Sequence, residues 1–388
     1  MKVTQIHSIL NDITKEITGQ TDIVKEDLSN VVDVGVEVFN ASSVDNFVRK
    51  LVDKVGKVIF TDRVYNGSAP SVLMDSWEFG SVLQKVSAEL PTAKENDTWD
   101  LQDGQSYNDD IFYQPKVSAK FFNNKITFEI PVSITERQVK SAFNSKEELN
   151  GLISLIYTNV ENAMTVQLES LILRTLNNFT GEVLNGDNPV TKVDLLAGYN
   201  KTTGNTLTVD KCLFDKEFIR YAVYTMNVYA DRMSKVSTLF NAGKTSKFTP
   251  KEDLNTVLLN DFVSASKTFL ASDTLHNDNV ILPKHDTVPY WQGSGLSYEL
   301  KDITKISVKT SSGATVEKNG IIGVMFDKNA VGVCNVDKRV TTNFNAKAEF
   351  FTNYYKFDCS YFCDLNENYV VFTIGDISPA MAKATRSK

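Results

Sequence analysis

No long apolar run occurs in these 388 residues. The longest, such as "IIGVMF" at 321–326, reach about six residues, against the roughly 20 that a membrane helix needs. The chain is therefore read as having no membrane partner. An excess of basic charge is lacking too. Its 41 basic and 48 acidic residues leave a net charge of −7, so no basic stripe points to sequence-specific nucleic-acid binding. Cysteine is scarce: Cys212, Cys334, Cys359 and Cys363 read as free thiols of a reducing compartment. On one strand, Cys359 and Cys363 would lie about 13 Å apart, too far for one disulfide or one zinc. Histidine is scarcer still, and His7, His276 and His285 fall in no metal-ligating spacing. The opening "MKVTQIHSILNDITKEI" breaks its apolar positions with polar ones, which argues against a secretory signal.

Other fragments of chemical motifs fail on spacing. Gly243-Lys244-Thr245 has the tail of a phosphate-binding loop, but Thr238 stands where that loop needs its first glycine. "GQSYN" ends in Asn108 where a nucleophile elbow needs glycine. Asp97, Asp100 and Asp103 recur every third residue, whereas a calcium loop spaces its acids by two. The expectation is a chain with no catalytic residue, no metal site, no cofactor and no enzymatic activity.

What is present is pattern. Val3, Ile6, Leu10, Ile13 and Ile17 fall at helical steps, and Gly19 ends them. A second amphipathic segment carries Val44, Phe47, Leu51, Val55 and Val58, after a Ser42 or Ser43 cap. Each helix can pack on a core or form an arm along a neighbouring subunit. Three strands follow, near 81–90, 116–122 and 125–132. The third alternates Ile126, Phe128, Ile130 and Val132 inward, and Asn123-Asn124 predicts a tight hairpin joining it to the second. Ser145 and Glu148 form a capping box for a helix to about Asn178, carried by Leu149, Ile153, Ile156, Val160, Met164, Leu168 and Leu171. Residues 181–210 read as loop, and a helix is expected at 212–236. From about 297 the chain turns β-rich, with Tyr355, Phe357, Cys359, Tyr361 and Cys363 on one face of a strand. The class is α+β.

Between the first two strands lies "PTAKENDTWDLQDGQSYNDDIFYQP". Excursions beyond about 12–15 residues are usually functional or disordered. This one holds Glu95, Asp97, Asp100, Asp103, Asp109 and Asp110 against Lys94, together with Trp99, Leu101, Tyr107, Ile111, Phe112 and Tyr113. Aromatic side chains on a loop with no core of its own are satisfied by another molecule. Its acids are expected to meet a neighbour's basic groups.

The order of elements resembles the major capsid protein of tailed bacteriophages, the Hong Kong 97-type fold, and is similar to small podovirus capsid proteins. The stretches that carry the resemblance are "WEFGSVLQKVSAELP" with "KVSAKFFNNKITFEIPVSITERQV", "SKEELNGLISLIYTNVENAMTVQLESLILRTLNNF", "GVMFDKNAVGV", "FFTNYYKFDCSYF" and "NYVVFTI". It implies a helical N-terminal arm (1–62), an extended β-hairpin loop with flanking strands (63–133), a spine helix of a peripheral domain (134–180), an axial domain (181–318), and a closing sheet with a C-terminal tail (319–388). It further implies pentamers and hexamers that build an icosahedral or prolate shell around double-stranded DNA. Scaffold and portal proteins would be partners, the DNA would be enclosed without sequence-specific binding, and assembly would take place in the host cytoplasm before residence in the virion. Loop residues Trp99, Asp100, Leu101, Tyr107, Ile111, Phe112 and Tyr113 would contact one neighbour, and arm residues Ile6, Leu10 and Ile13 another. The alternatives are an encapsulin-type cargo shell, which shares the fold, and an intracellular enzyme with a dispersed site.

Overall fold

The computed structural model describes residues 3–21, 23–42, 44–62, 65–74, 83–88, 91, 93, 95–107, 112–114, 116–271, 282–292 and 299–375. These form two compact units, each assembled from stretches distant in sequence. One comprises 1–78, 125–173 and 333–360; the other comprises 79–124, 174–332 and 361–388. The contiguous segments expected from sequence thus interleave, because strands and helices pair with partners far along the chain.

In the first unit three helices carry the N-terminal pattern: α1 (Val3–Thr18), α2 (Val31–Ala41) and α3 (Val44–Asp62). The predicted apolar faces meet one another, burying Ile6, Leu10 and Ile13 with Phe47, Leu51 and Val55. Lys50 and Lys54 of α3 clamp Glu16 of α1 at 2.9 Å each, and these hydrogen bonds hold its carboxyl down to about 2. Phe39, Phe47 and Phe143 pack edge to face. Gly35 and Gly56 permit close approach, since a Cβ there would lie 2.6 Å from Phe143 and 2.7 Å from Val340.

The unit's sheet runs β1 (Leu73–Met74), β11 (Val331–Asn345), β12 (Phe350–Cys363), β4 (Lys125–Thr135). β4 buries the predicted face, with Ile130 and Ile134 innermost. It then enters α4 (Glu136–Ala142) through a Thr135–Gln138 capping box.

β4 does not form the expected hairpin. It pairs antiparallel with β12 from Lys125↔Ser360 to Thr135↔Phe350, while β3 (Val117–Phe122) pairs with β2 (Leu83–Ala88). Neither Asn123 nor Asn124 adopts a positive φ, and the Asn124 carbonyl accepts from the Tyr361 amide at 3.2 Å. The asparagines mark a change of partner, and tertiary pairing overrides their local turn preference. β12 also departs from strict alternation. Phe351, Asn353, Tyr355, Phe357 and Cys359 are buried, but beyond Ser360 the buried residue is Phe362, so Tyr361 and Cys363 leave the predicted face. The slip falls where pairing with β4 ends.

α5 (Lys146–Asn185) has 40 residues, about 60 Å at 1.5 Å per residue, and enters both units. Ser145 caps it by accepting from the Glu148 amide. It outruns its predicted end because buried residues continue at Phe179, Thr180 and Val183. The predicted loop that follows is partly ordered. β5 (Lys192–Asp194) leads into α6 (Leu195–Thr203), capped by the Asp194 carboxylate and closed by Gly204 at φ 75°.

The second unit then adds α7 (Val209–Cys212), α8 (Lys216–Met233), β6 (Leu254–Leu259), α9 (Asn260–Ala271), β7 (Asp286–Val288), α10 (Leu300–Ile303), β8 (Ile306–Lys309), β9 (Thr315–Lys318), β10 (Ile321–Asp327) and β13 (Tyr369–Thr373). Its main sheet is ordered β5-β13-β10-β6-β7. All of β10 is buried. The late strands thus do not close one sheet: β10 and β13 belong here, β11 and β12 to the other sheet. Trp291, fully buried, donates Nε1–H to the Ile321 carbonyl at 2.9 Å, and Asn177 of α5 donates to the Trp291 carbonyl.

Candidate assembly surfaces

The β2–β3 ribbon has faces of opposite character. In register, Leu83 opposes Phe122, Lys85 opposes Lys120 and Ser87 opposes Ser118 on one face. Gln84 and Phe121, Val86 and Ala119, Ala88 and Val117 pair on the other, and all six are exposed. Val86, Val117 and Phe121 are about 60% exposed, an apolar strip with no intramolecular cover.

Beyond the ribbon the expected contact residues lie open. Trp99 is 96% exposed and Phe112 86%, with Leu101, Tyr107 and Tyr113 also exposed. Asp100 is exposed beside them. The Tyr107 hydroxyl accepts from the Gln102 amide at 3.1 Å, folding 102–107 around Gly104. Ile111, Asp109, Asp110 and Lys94 lie outside the described residues. The arm residues are placed differently. Ile6, Leu10 and Ile13 are at most 2% exposed, their apolar area already used against α2 and α3, so the expectation of a neighbour contact is corrected for them.

The inner face of the ribbon holds residues that sequence reasoning missed. Asp364, 5% exposed, accepts Lys85 Nζ on Oδ2 at 2.8 Å and Lys120 Nζ on Oδ1 at 2.9 Å. Lys85 also donates to Glu367 Oε1 at 3.0 Å and to the Asn329 carbonyl at 2.8 Å. Glu367 Oε2 accepts Lys247 at 2.8 Å. Charges therefore alternate along Lys120, Asp364, Lys85, Glu367, Lys247. Burial opposes ionisation of Asp364, but the two lysines outweigh it and hold the carboxyl below its ordinary range. Phe122 packs beside this chain against Phe362, ring centroids 5.3 Å apart. No sequence motif signals the cluster, because its members come together only through the β2–β3 register.

The Gly243-Lys244-Thr245 loop serves packing. Asn241, buried, accepts from the Thr245 amide and donates to its carbonyl, with Lys244 at φ 50° between them. Among the described residues no group of His, Cys, Asp and Glu could hold a metal ion, and no helix is long and apolar enough to cross a membrane.

The family model of Phi29-like phage major capsid protein matches residues 6–373. The chain belongs to that family. This capsid protein is thus a shell-forming structural protein of a phage virion, and its mixed helix-and-sheet architecture is of the Hong Kong 97 type. Solved structures agree on the fold. The capsid structure of Staphylococcus phage Andhra is 9% identical with a TM-score of 0.54, covering 81% of this chain and 86% of that one. A structure described as the head fiber and inner core protein gp22 of native bacteriophage P68 is 10% identical with a TM-score of 0.51, covering 80% of this chain and 86% of that one. No curated protein sequence matches the chain.

Proposed function

We propose that this capsid protein assembles through pentamers and hexamers into an icosahedral or prolate head that encloses double-stranded DNA. The ribbon and its tip lie across an adjacent copy. The observation that carries this reading is the exposure of Trp99, Leu101, Phe112 and Tyr113 beside the open Val86–Val117–Phe121 strip. A monomer gains nothing from exposing that area, whereas each neighbour contact gains about 25 cal/mol per Å² of it buried. Repetition over a closed shell makes modest contacts sufficient. The net charge of −7 suits a container whose DNA must not stick to its wall. Scaffold and portal proteins act in assembly, which takes place in the host cytoplasm, and the chain has no enzymatic role. Membership of the Phi29-like phage capsid family supports a DNA-filled head over an encapsulin-type cargo shell.

Sedimentation and negative-stain imaging of the protein, alone and co-expressed with scaffold, test the proposal. Capsomers or closed shells are expected. Trp99→Ala with Phe112→Ala should lower their yield at unchanged circular dichroism. A species that stays monomeric under both conditions would overturn the reading.

A further inference from the structure

We propose that Asp364 is a positioning residue for assembly: its carboxylate holds both strands of the β2–β3 ribbon at their root and so sets how the ribbon presents its apolar face. The inference rests on the proposed role of the ribbon as a neighbour contact.

The argument begins with the ribbon itself. Two strands alone are marginal in water. Here they place Lys85 directly opposite Lys120, and like charges directly opposed across a ladder are destabilising. The ribbon root therefore carries a built-in repulsion that only an external anion removes. Asp364 supplies one oxygen to each lysine. Among the described residues it is the acidic residue bonded to both strands; Glu367 reaches Lys85 and Lys247.

The anchor is rigid in its own right. The Asp364 amide donates to the Ala330 carbonyl at 2.7 Å, and Asp364 Oδ1 accepts from the Asn366 amide at 3.1 Å. Further along, the Tyr369 amide donates to the Phe240 carbonyl past Asn368, whose side chain donates to Thr249 Oγ1. Thr249 in turn donates to buried Asp327 Oδ2 at 2.7 Å. The turn at 364–368 is thus tied into the largely buried β10–β13 pairing. The Lys85 ammonium has three donors and three acceptors within 3.0 Å, so it is fully satisfied only when seated. The Phe122–Phe362 contact keeps the strands close to the turn, while the carboxylate fixes their direction.

Asp364→Asn in the full chain tests this, because it removes the charge while keeping an oxygen for the Asn366 amide. Hydrogen exchange of unassembled subunits should accelerate by about tenfold or more in β2 and β3, the scale of one lost charge-assisted hydrogen bond, with β10 and β13 unchanged. Shell yield should fall with it, and Asp364→Glu should restore part of both. Lys120→Met removes one bond but also the opposed charge, so it should loosen the ribbon less than Asp364→Asn. Unchanged exchange in β2 and β3, equal loosening of β10, a larger effect of Lys120→Met, or normal shells from a loosened ribbon would each overturn the proposal. Failure of the unaltered protein to form shells would instead overturn the assembly reading, and exchange would still decide the anchor.

Discussion

The β10 strand and the β2–β3 ribbon belong to one compact unit and obey opposite rules. β10 is buried along its whole length, paired on both sides by β6 and β13, and covered on both faces. In β2 and β3 only Phe122 is buried, and one face shows valines and phenylalanine to solvent. Apolar residues build both. What differs is where the apolar area goes: inward for β10, where it holds the subunit, and, on the open face of the ribbon, nowhere within the subunit. Stability and assembly are thereby separated into different strands, and a substitution can damage one without the other.

The sharpest way to break this contrast is to place the same charge in both. Val324→Asp would bury an unpaired carboxylate at a fully buried position of β10, at an expected cost of several kcal/mol, seen as insoluble protein. Val86→Asp lies on the open face of the ribbon and should leave the melting temperature nearly unchanged while abolishing shells. Equal solubility loss in the two would show that the ribbon belongs to the core.

A smaller effect sharpens the picture of α5. Helical periodicity puts Glu169 about 180° from Val160 and marks it as tolerant of alanine. The structure revises that expectation: Glu169 Oε1 accepts from the Ser68 hydroxyl at 2.5 Å and the Ser68 amide at 3.3 Å, next to Ala69 at φ 49°. Glu169→Ala should cost about 1–2 kcal/mol in denaturant unfolding by leaving these donors unpaired. No change in the unfolding midpoint would show that water replaces the carboxylate at no cost.

The smallest effect is local and acid-dependent. Asp364, bonded to Lys85 and Lys120, has its folded-state carboxyl lowered despite burial, through those lysine bonds. The seat's contribution is therefore complete above the unfolded carboxylate value of about 3.9 and fades as pH falls through the lower folded value. Ribbon protection in hydrogen exchange should drop in that acid window before β10 loosens. A ribbon that keeps its protection there would contradict the lysine-based cause.

Much was legible locally. The α1 and α3 faces, the inward Ile130 of β4 and the Ser145 cap of α5 all follow from periodicity and cap chemistry, because burial on one side of a helix or strand leaves a regular trace. The exposed aromatics at 99–113 were legible as residues without a core. Ile6, Leu10 and Ile13 were readable as apolar but not as already covered by α2 and α3, since periodicity does not say which molecule covers a face.

The sequence by itself determined the α+β class, the long helix, the half-buried strand and the likeness to phage capsid proteins. Only the tertiary structure decided that β3 pairs with β2 and β4 with β12, that β10 and β11 part into different sheets, and that Asp364 lies between Lys85 and Lys120. The physical reason is range. Side-chain period and turn preference act over a few residues, whereas β2–β3 pairing joins residues 29–39 positions apart and the β4–β12 ladder and the Asp364–lysine bonds join residues more than 200 apart, and these contacts outweigh the turn preference of two asparagines.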